Sequence, residues 1–296
     1  MGERVIGAGP LPERVPAPRA RGVERRRFRP AAWILPGYTH LVMVWLFAPI
    51  LVMILYGFNN THGRLNIAWA GFTLKWFENP FTNPSMTSAL LTSLATSALG
   101  MVVATVLGTM IALASHRYSF RGKAILDAVM VLNIAASEVV IGSALLTLFI
   151  SGNVPLGFLT IVLAQVMFSI PFVAITVRAR LAGFDSALEE AAQDLGASPL
   201  ATFRLVTLPA ILPGVLAAAL LAFALCIDDY VITSFVAGNT LTFPLWVYGA
   251  TRNGVPPQVN VIGTFIFVGG GLIAVTGGLL RSWRSHRLAR ETGTAL

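Results

Sequence analysis

The sequence predicts an all-α, polytopic membrane protein with six transmembrane helices. Of its 296 residues, 55% are hydrophobic and only 11% are charged, and the mean hydropathy is +0.74. Soluble domains carry about 25% charged residues, and an aqueous core in a chain of this size could not bury so much apolar surface. The composition also excludes disorder throughout, and the single cysteine excludes a disulfide scaffold.

Six apolar stretches are long enough to cross a bilayer, which requires a helix of about 20 residues. They cover residues 33–58, 89–114, 124–150, 157–177, 210–236 and 259–280. The first is long for the apolar part of a signal peptide and is followed by no cleavage site, so we expect it to stay in the chain. Gly100 and Gly108 in the second span, and the glycines at 269–271 in the last, are expected to let helices pack closely.

The distribution of lysine and arginine predicts which way the spans point. The arm 1–32, the loops 115–123 and 178–209 and the tail 281–296 hold 18 of the 21 basic residues, and the intervening loops hold 3. Basic residues collect on the cytoplasmic side of membrane proteins. Both termini are therefore expected in the cytoplasm, the first as a disordered, proline-rich basic arm and the second as a basic tail. This distribution accounts for the net charge of +8 without nucleic acid as a partner.

The cytoplasmic loop 178–209 contains two helix starts. Ser186 and Glu189 have the spacing of a capping box, and Gly196 is suited to end the helix that they begin. One face of this helix is apolar and consists of Leu188, Ala191, Ala192 and Leu195. Ser198, followed by a proline, predicts a second helix start. Judged by its residues alone, this elbow could either lie on lipid headgroups or bind a partner.

A specific residue pattern runs through the elbow. It reads Glu190-Ala191-Ala192, then Gly196 after three residues, then Val206, Leu208 and Pro209 after nine more. The pattern resembles the EAA loop of permease subunits of ATP-binding-cassette importers, in which isoleucine is common where Val206 stands here. The resemblance covers about residues 89–280 and implies the type I importer permease fold, with a permease core at 89–280 and a coupling loop at 178–209. The first helix and an extracytoplasmic loop at 33–88 precede this core. The resemblance also implies that an ATPase is contacted by Glu189, Glu190, Ala191, Ala192, Gly196, Leu208 and Pro209.

The resemblance further implies partners in a bacterial inner membrane. ATPase subunits would bind the elbow, a second permease subunit would complete the path as a heterodimer, and an extracytoplasmic solute-binding protein would deliver the solute. The sequence has no G-x-x-x-x-G-K-[ST] phosphate loop and no histidine pair at metal-binding spacing. The chain is therefore expected to be a transport subunit, not an enzyme, and to bind no cofactor, with ATP and magnesium held by the partner ATPase.

Two further segments resemble one particular group of these permeases. They are residues 137–142, Ser-Glu-Val-Val-Ile-Gly, and residues 227–235, Ile-Asp-Asp-Tyr-Val-Ile-Thr-Ser-Phe. Both are similar to the second permease subunit of spermidine/putrescine importers, which usually has proline at the position of Ser137. In a third span that is one unbroken helix, Glu138 lies about 21 Å from Ala124 along the axis, near or beyond the bilayer midplane.

Three carboxylates fall within the predicted spans, where charges are costly and usually face protein or a water-filled path. Glu138, Asp228 and Asp229, with Tyr230 beside them, could form a transient path for an elongated cation such as a polyamine. Each carboxylate could instead be structural, for example as the cap of a helix restart, and adjacent helical aspartates do not face the same side. Asp127 is expected to be a solvated or paired charge.

Two alternatives remain for the function. The same fold could import another small solute, such as iron, an opine or an amino-acid-like compound, although carboxylates in the path favour a cation. A secondary transporter driven by an ion gradient would be expected to show paired inverted repeats with broken helices, and the sequence shows no such symmetry.

Overall fold

The computed structural model describes residues 31–61, 66 and 68–291, and the chain divides into two compact units, residues 1–50 and 51–296. The predicted arm therefore lies outside the described residues up to residue 30. The regular structure of the described residues is helical, as predicted, with one isolated β-bridge between Asn59 and Phe72. The helices are α1 (Ala31–Gly57), α2 (Lys75–Glu78), α3 (Pro84–Arg117), α4 (Lys123–Ala135), α5 (Glu138–Ser151), α6 (Phe158–Leu181), α7 (Ala187–Asp194), α8 (Pro199–Thr202), α9 (Leu208–Asp228), α10 (Val231–Val236), α11 (Phe243–Asn253) and α12 (Pro257–Glu291), with a π-helical turn at Phe203–Thr207.

Four described helices are long and apolar enough to cross a membrane, and a bent helix pair forms a fifth crossing if it is counted as one span. The four are Pro36–Gly57, Pro84–Arg117, Phe158–Leu181 and Pro199–Asp228, which correspond to the first, second, fourth and fifth predicted spans. The sixth predicted span lies in α12, whose described apolar part is Pro257–Leu272. The side chains of the predicted basic tail lie outside the described residues.

The third predicted span is not one helix. It consists of α4 and α5, which meet at an angle of 111°. Ala136 and Ser137 between them have extended backbone, with ψ of 142° and 136°. Serine favours such cap positions over helix interiors, so the chain breaks here without proline. The depth expected for Glu138 from a straight helix is therefore wrong, because Glu138 is the first residue of a new helix.

The fifth predicted span also ends earlier than expected. α9 stops at Asp228, Asp229 is extended with ψ of 110°, and α10 restarts at Val231. At its other end, α9 is preceded by the π-helical turn. Pro209 explains that turn, because proline has no N–H for the carbonyl of Leu205 and its ring would clash with that carbonyl in a regular α-helix.

The transmembrane core is built on a face of small side chains along α3. These residues are Ala89, Ser93, Thr96, Ser97, Gly100, Ala104, Gly108, Ala112 and Ser115, all buried. They let α6 and α9 pack directly against α3. A Cβ atom built on Gly108 would lie 2.7 Å from the Cβ of Val173, and one on Gly100 would lie 3.2 Å from the Oε1 of Gln165. Close packing at these two glycines is therefore confirmed.

The glycines of the last span behave differently. A Cβ built at residues 269, 270 or 271 would meet no described atom of the chain within 4 Å. The expectation of close helix contact there is wrong within this chain, because α12 presents that segment to its surroundings. Close packing of α12 occurs instead at Gly263, where a Cβ would lie 2.7 Å from the Sδ of Met53.

Two arginines near the end of α6 tie neighbouring helices together. Arg178 donates to Asp127 of α4 at 2.6 Å, so Asp127 is a paired charge as predicted. The guanidinium of Arg180 donates to the carbonyl of Ala210 in α9 through Nε at 3.3 Å and Nη2 at 3.2 Å. Gly214 makes room for this contact, because a Cβ there would lie 2.7 Å from the Cβ of Arg180.

The two classes of glycine give a matched test of the packing. We expect Gly108→Ala to destabilise the solubilised protein by about 1–3 kcal/mol, because the added methyl group meets the backbone-proximal part of Val173. Gly269→Ala adds the same group in open space and gains helix propensity, so its stability should be unchanged or slightly higher. Thermal unfolding in detergent measures both, and equal melting temperatures for the two variants would contradict the packing assignment.

Candidate coupling elbow and transport path

The elbow of the loop 178–209 begins with α7, and its end has the predicted geometry. Gly196 has φ of +87°, the left-handed conformation that glycine adopts most easily. Its N–H donates to the carbonyl of Gln193 at 2.8 Å, and the N–H of Ala197 donates to the carbonyl of Ala192 at 3.1 Å. These two bonds form a Schellman motif. Ser198 then caps α8 by accepting from the N–H of Ala201 at 3.3 Å, which confirms the second helix start.

The start of α7 differs from the prediction. Ser186 makes no side-chain cap, and the N–H of Ala187 donates instead to Oδ1 of Asp185 at 3.0 Å. The carboxylate of Glu189 does not return to the serine N–H. It accepts from the guanidinium of Arg117 and from the hydroxyl of Thr207. The capping-box prediction is therefore wrong, because a charged partner from another helix holds the glutamate.

The outer side of the elbow is apolar, and no other part of the described structure covers it. Leu188 is 55% exposed and Leu195 is 90% exposed, and beyond the turn Leu200 and Leu205 are 75% and 73% exposed. Between them Glu190 and Ala191 are exposed, while Ala192 is half-buried. A short helix in water would normally turn its leucines toward the protein. This one presents them outward, together with one free-standing glutamate, as expected for a surface that binds a partner.

The remaining two residues of the pattern lie at the junction with the membrane. Leu208 is half-buried and Pro209 is exposed, at the first two positions of α9. Pro209 accounts for the π-helical turn, and this turn ends at Thr207, which is fully buried. The predicted coupling residues thus separate into an outward set on α7, an inward Glu189 and a structural pair at 208–209.

The predicted carboxylates of the transport path lie where helices are broken. Asp229 caps α10: Oδ1 accepts from the N–H of Ile232 at 3.1 Å, and Oδ2 accepts from the N–H and the hydroxyl of Thr233 at 3.0 and 2.6 Å. The structural alternative for Asp229 is therefore the one that the structure shows. Glu138 lies in the first turn of α5, a helix that packs against α10.

Helices α5 and α10 bring these two acidic groups together. A Cβ on Gly142 of α5 would lie 2.5 Å from Cδ2 of Phe235 and 3.3 Å from Cα of Ile232, both in α10. Two helices that each restart after a break thus pack side by side, with a carboxylate at the start of each. Asp228 and Glu138 are both exposed in the isolated chain, whereas Asp229 is partly covered.

Next to this acidic region lies an aromatic pair. The ring of Tyr230 lies 4.7 Å from the ring of Tyr248 in α11, and the guanidinium of Arg252 lies 5.6 Å from the Tyr248 ring centre. Tyr248 and Arg252 were not predicted as site residues, and nor were Arg117 and Thr207. Arg252 and Tyr248 are four residues apart on α11, a spacing that brings side chains together on a helix. Tyr248, Arg117 and Thr207 contact partners that are at least 18 residues away, and no sequence spacing signals these contacts.

Several helices long and apolar enough to cross a membrane, an elbow with exposed leucines and carboxylates at helix breaks characterise a polytopic membrane protein. The chain belongs to the family described as binding-protein-dependent transport system inner membrane component, whose pattern matches residues 25–291. The match extends beyond the predicted permease core at both ends. The protein is therefore a multi-pass, inner-membrane transport subunit.

Several relatives cover most of the chain. The spermidine/putrescine transport system permease protein PotC of Haemophilus influenzae is 34% identical over 78% of this chain and 90% of its own length. The putrescine transport system permease protein PotI of Escherichia coli K12 is 36% identical over 81% of this chain and 86% of its own length. PotC of the same E. coli strain is 35% identical over 78% of this chain and 88% of its own length.

Solved structures show the same fold. A bacterial ABC transporter involved in the import of the acidic polysaccharide alginate superposes with a TM-score of 0.58, covering 86% of this chain and 96% of that chain at 14% identity. An amino acid ABC transporter crystallised with histidines gives a TM-score of 0.52 over 73% of this chain and 100% of that chain at 20% identity. The type I importer permease fold predicted from the elbow is confirmed.

The neighbouring aspartates give a test of the helix restart. We expect Asp229→Ala to destabilise the protein by about 1 kcal/mol, because the first N–H groups of α10 lose their acceptor. Asp228→Ala changes an exposed carboxylate and should leave stability nearly unchanged. Thermal unfolding of both variants in detergent provides the comparison, and the assignment fails if Asp228→Ala is the more damaging change.

Proposed function

We propose that this chain is a permease subunit of an ATP-driven importer of spermidine- or putrescine-like polyamines. The observation that carries the ATP-driven part is the elbow, whose leucines and Glu190 are exposed and are not covered by any described residue. The polyamine part is supported by relatives at 34–36% identity whose names specify spermidine or putrescine transport.

The elbow would serve as the docking helix for a separate ATPase subunit. Leu188 and Leu195 would enter an apolar cleft, Ala191 would permit close seating, and Glu190 would pair with a basic group at the rim. The left-handed turn at Gly196 fixes the angle between α7 and α8 and thus the shape of the docking surface. When the ATPases close on ATP, movement of the elbow would tilt the membrane helices between inward-open and outward-open packings.

The carboxylates at the helix breaks would guide the cation. Glu138 and Asp228 are exposed in this chain, and a second permease subunit facing them would enclose a path lined by their charges. Tyr230 and Tyr248 add aromatic faces that attract ammonium groups. Because the Asp229 oxygens already accept three hydrogen bonds, this residue would contribute charge to the path without direct contact.

The chain would do no chemistry itself. ATP and magnesium would be held by the partner ATPase, since the sequence has no phosphate-binding loop. A solute-binding protein would deliver the polyamine from outside, and the second permease subunit would be a homologue, giving a heterodimer.

Uptake in cells tests the ATPase-coupling part of the proposal. In cells lacking this gene, uptake of labelled spermidine and putrescine should fall and should return with the wild-type chain. Glu190→Arg should restore less than about a tenth of it, because reversal of the docking charge repels the basic partner group. Glu78→Arg, an exposed charge reversal in the outer loop, is the matched control and should restore uptake fully.

The outcomes of this assay separate the alternatives. If uptake is unaffected by deletion while an ATPase co-purifies with the chain, the cargo is another solute, and labelled iron and amino-acid-like solutes should be assayed next. Uptake that persists without any ATPase, driven by an ion gradient, contradicts the importer proposal.

The path carboxylates are tested separately from coupling. We expect Asp228→Asn and Glu138→Gln to lower polyamine uptake several-fold while ATP hydrolysis by the purified complex continues, because the path loses charge but the elbow stays intact. Glu78→Gln, which neutralises an exposed carboxylate of the outer loop, is the control. Equal loss of uptake and hydrolysis in the path variants would assign these residues to folding.

A further inference from the structure

Two neighbouring glutamates on α7 have opposite environments. The side chain of Glu190 is exposed, whereas only 17% of the Glu189 side chain is accessible. Glu189 Oε1 accepts from Nη2 of Arg117 and from Oγ1 of Thr207, and the same Nη2 donates to Oγ1 of Thr207 at 3.0 Å. The three side chains close a triangle in which each contacts the other two.

This triangle joins three elements that the chain order keeps apart. Arg117 is the last residue of α3, 72 residues before Glu189, and Thr207 ends the π-helical turn in front of α9. The backbone already connects α7 to α6 on one side and to α9 on the other. Arg117 adds a direct link from α7 to α3, at the helix end where a positive charge is most favourable.

The link to α3 reaches the centre of the membrane core. α3 packs against α6 and α9 through its face of small residues, with the Cβ position of Gly108 only 2.7 Å from Val173. Protein interiors packed at this density transmit displacement instead of absorbing it. A movement of α7 that pulls on Arg117 is therefore passed to the whole α3, α6 and α9 core.

We propose that Arg117, Glu189 and Thr207 form the mechanical joint through which movement of the elbow drives the transmembrane helices. The proposal rests on the proposed coupling function and assigns different roles to the adjacent residues Glu189 and Glu190. Glu190 contacts the ATPase, and Glu189 is a positioning residue that contacts only its own chain. If these contacts are removed, the elbow should still bind the ATPase, but its movement should no longer move the α3, α6 and α9 core.

The experiment uses the complete transporter, with its ATPase, second permease and solute-binding protein, reconstituted in liposomes. Three quantities are measured: the amount of ATPase retained per permease, the ATP hydrolysis rate, and polyamine taken up per ATP hydrolysed. Glu189→Gln and Glu190→Gln form the matched pair. We expect Glu190→Gln to lower ATPase retention, and Glu189→Gln to keep retention while lowering uptake per ATP by about tenfold, the effect of losing one charge-assisted bond in the moving state.

A charge exchange shows whether the pair itself matters. Glu189→Arg places two guanidinium groups together and should lower uptake per ATP further, and Arg117→Glu combined with Glu189→Arg should recover at least about a third of the wild-type ratio. Thr207→Val removes the hydroxyl without changing charge or shape and should give an intermediate loss. Monodisperse elution of every variant in detergent establishes that it is folded.

Each outcome has a distinct meaning. If the wild-type transporter takes up polyamine and Glu189→Gln leaves uptake per ATP unchanged, the joint proposal is overturned while the importer proposal stands. It is also overturned if Glu189→Gln loses the ATPase as Glu190→Gln does, or if the double charge exchange takes up no more polyamine per ATP than Glu189→Arg alone. If the wild-type chain retains no ATPase, the retention measurement contradicts the proposed function itself, independently of the joint.

Discussion

The small side chains along one face of α3 determine how closely the membrane helices can approach, and the remaining architecture depends on that distance. Lipid supplies no hydrophobic force between helices, so association relies on direct contact, and contact requires residues such as Gly108 and Ala112 that allow backbones to meet. Because α6 and α9 sit against this face, the ends of both helices are fixed as well. The packing of α6 against α3 thereby positions Arg178 to bond Asp127 and Arg180 to bond the Ala210 carbonyl.

The helix break before α10 is compatible with a membrane because the protein satisfies the freed backbone groups itself. Irregular backbone is tolerated at membrane depth only where it is buried in protein or lines a polar cavity. Asp229 supplies acceptors for the first N–H groups of α10, and Nε2 of Gln165 donates to the carbonyl of Cys226 near the end of α9 at 2.9 Å. Asp229 thus lies among protein groups, whereas Glu138 and Asp228 stay exposed in this chain, where the proposed path would use their charge.

Much of the fold was predictable because its signals are local. Hydropathy located the membrane helices, the need for a left-handed residue identified Gly196, and serine before proline identified the start of α8. The environment of Glu189 was not predictable, because the capping-box spacing is the same whether the glutamate side chain bonds the Ser186 N–H or a residue of another helix. Arg117, 72 residues earlier, decides between the two arrangements. Ser137 shows the same limit, since serine is compatible with both a helix interior and the extended break that the structure has there.

The arginines at the cytoplasmic ends of α3 and α6 have two independent roles, one in membrane insertion and one in the folded protein. During insertion they contribute only positive charge, and lysine would orient the spans equally well. After folding, Arg117 contacts two oxygen acceptors and Arg180 holds one carbonyl with two of its nitrogens, which depends on a planar group with several fixed donors. Lysine at these positions would therefore give a correctly oriented protein with weakened ties between its helices. Membrane topology and mechanical integrity are thus separable properties of the same residues.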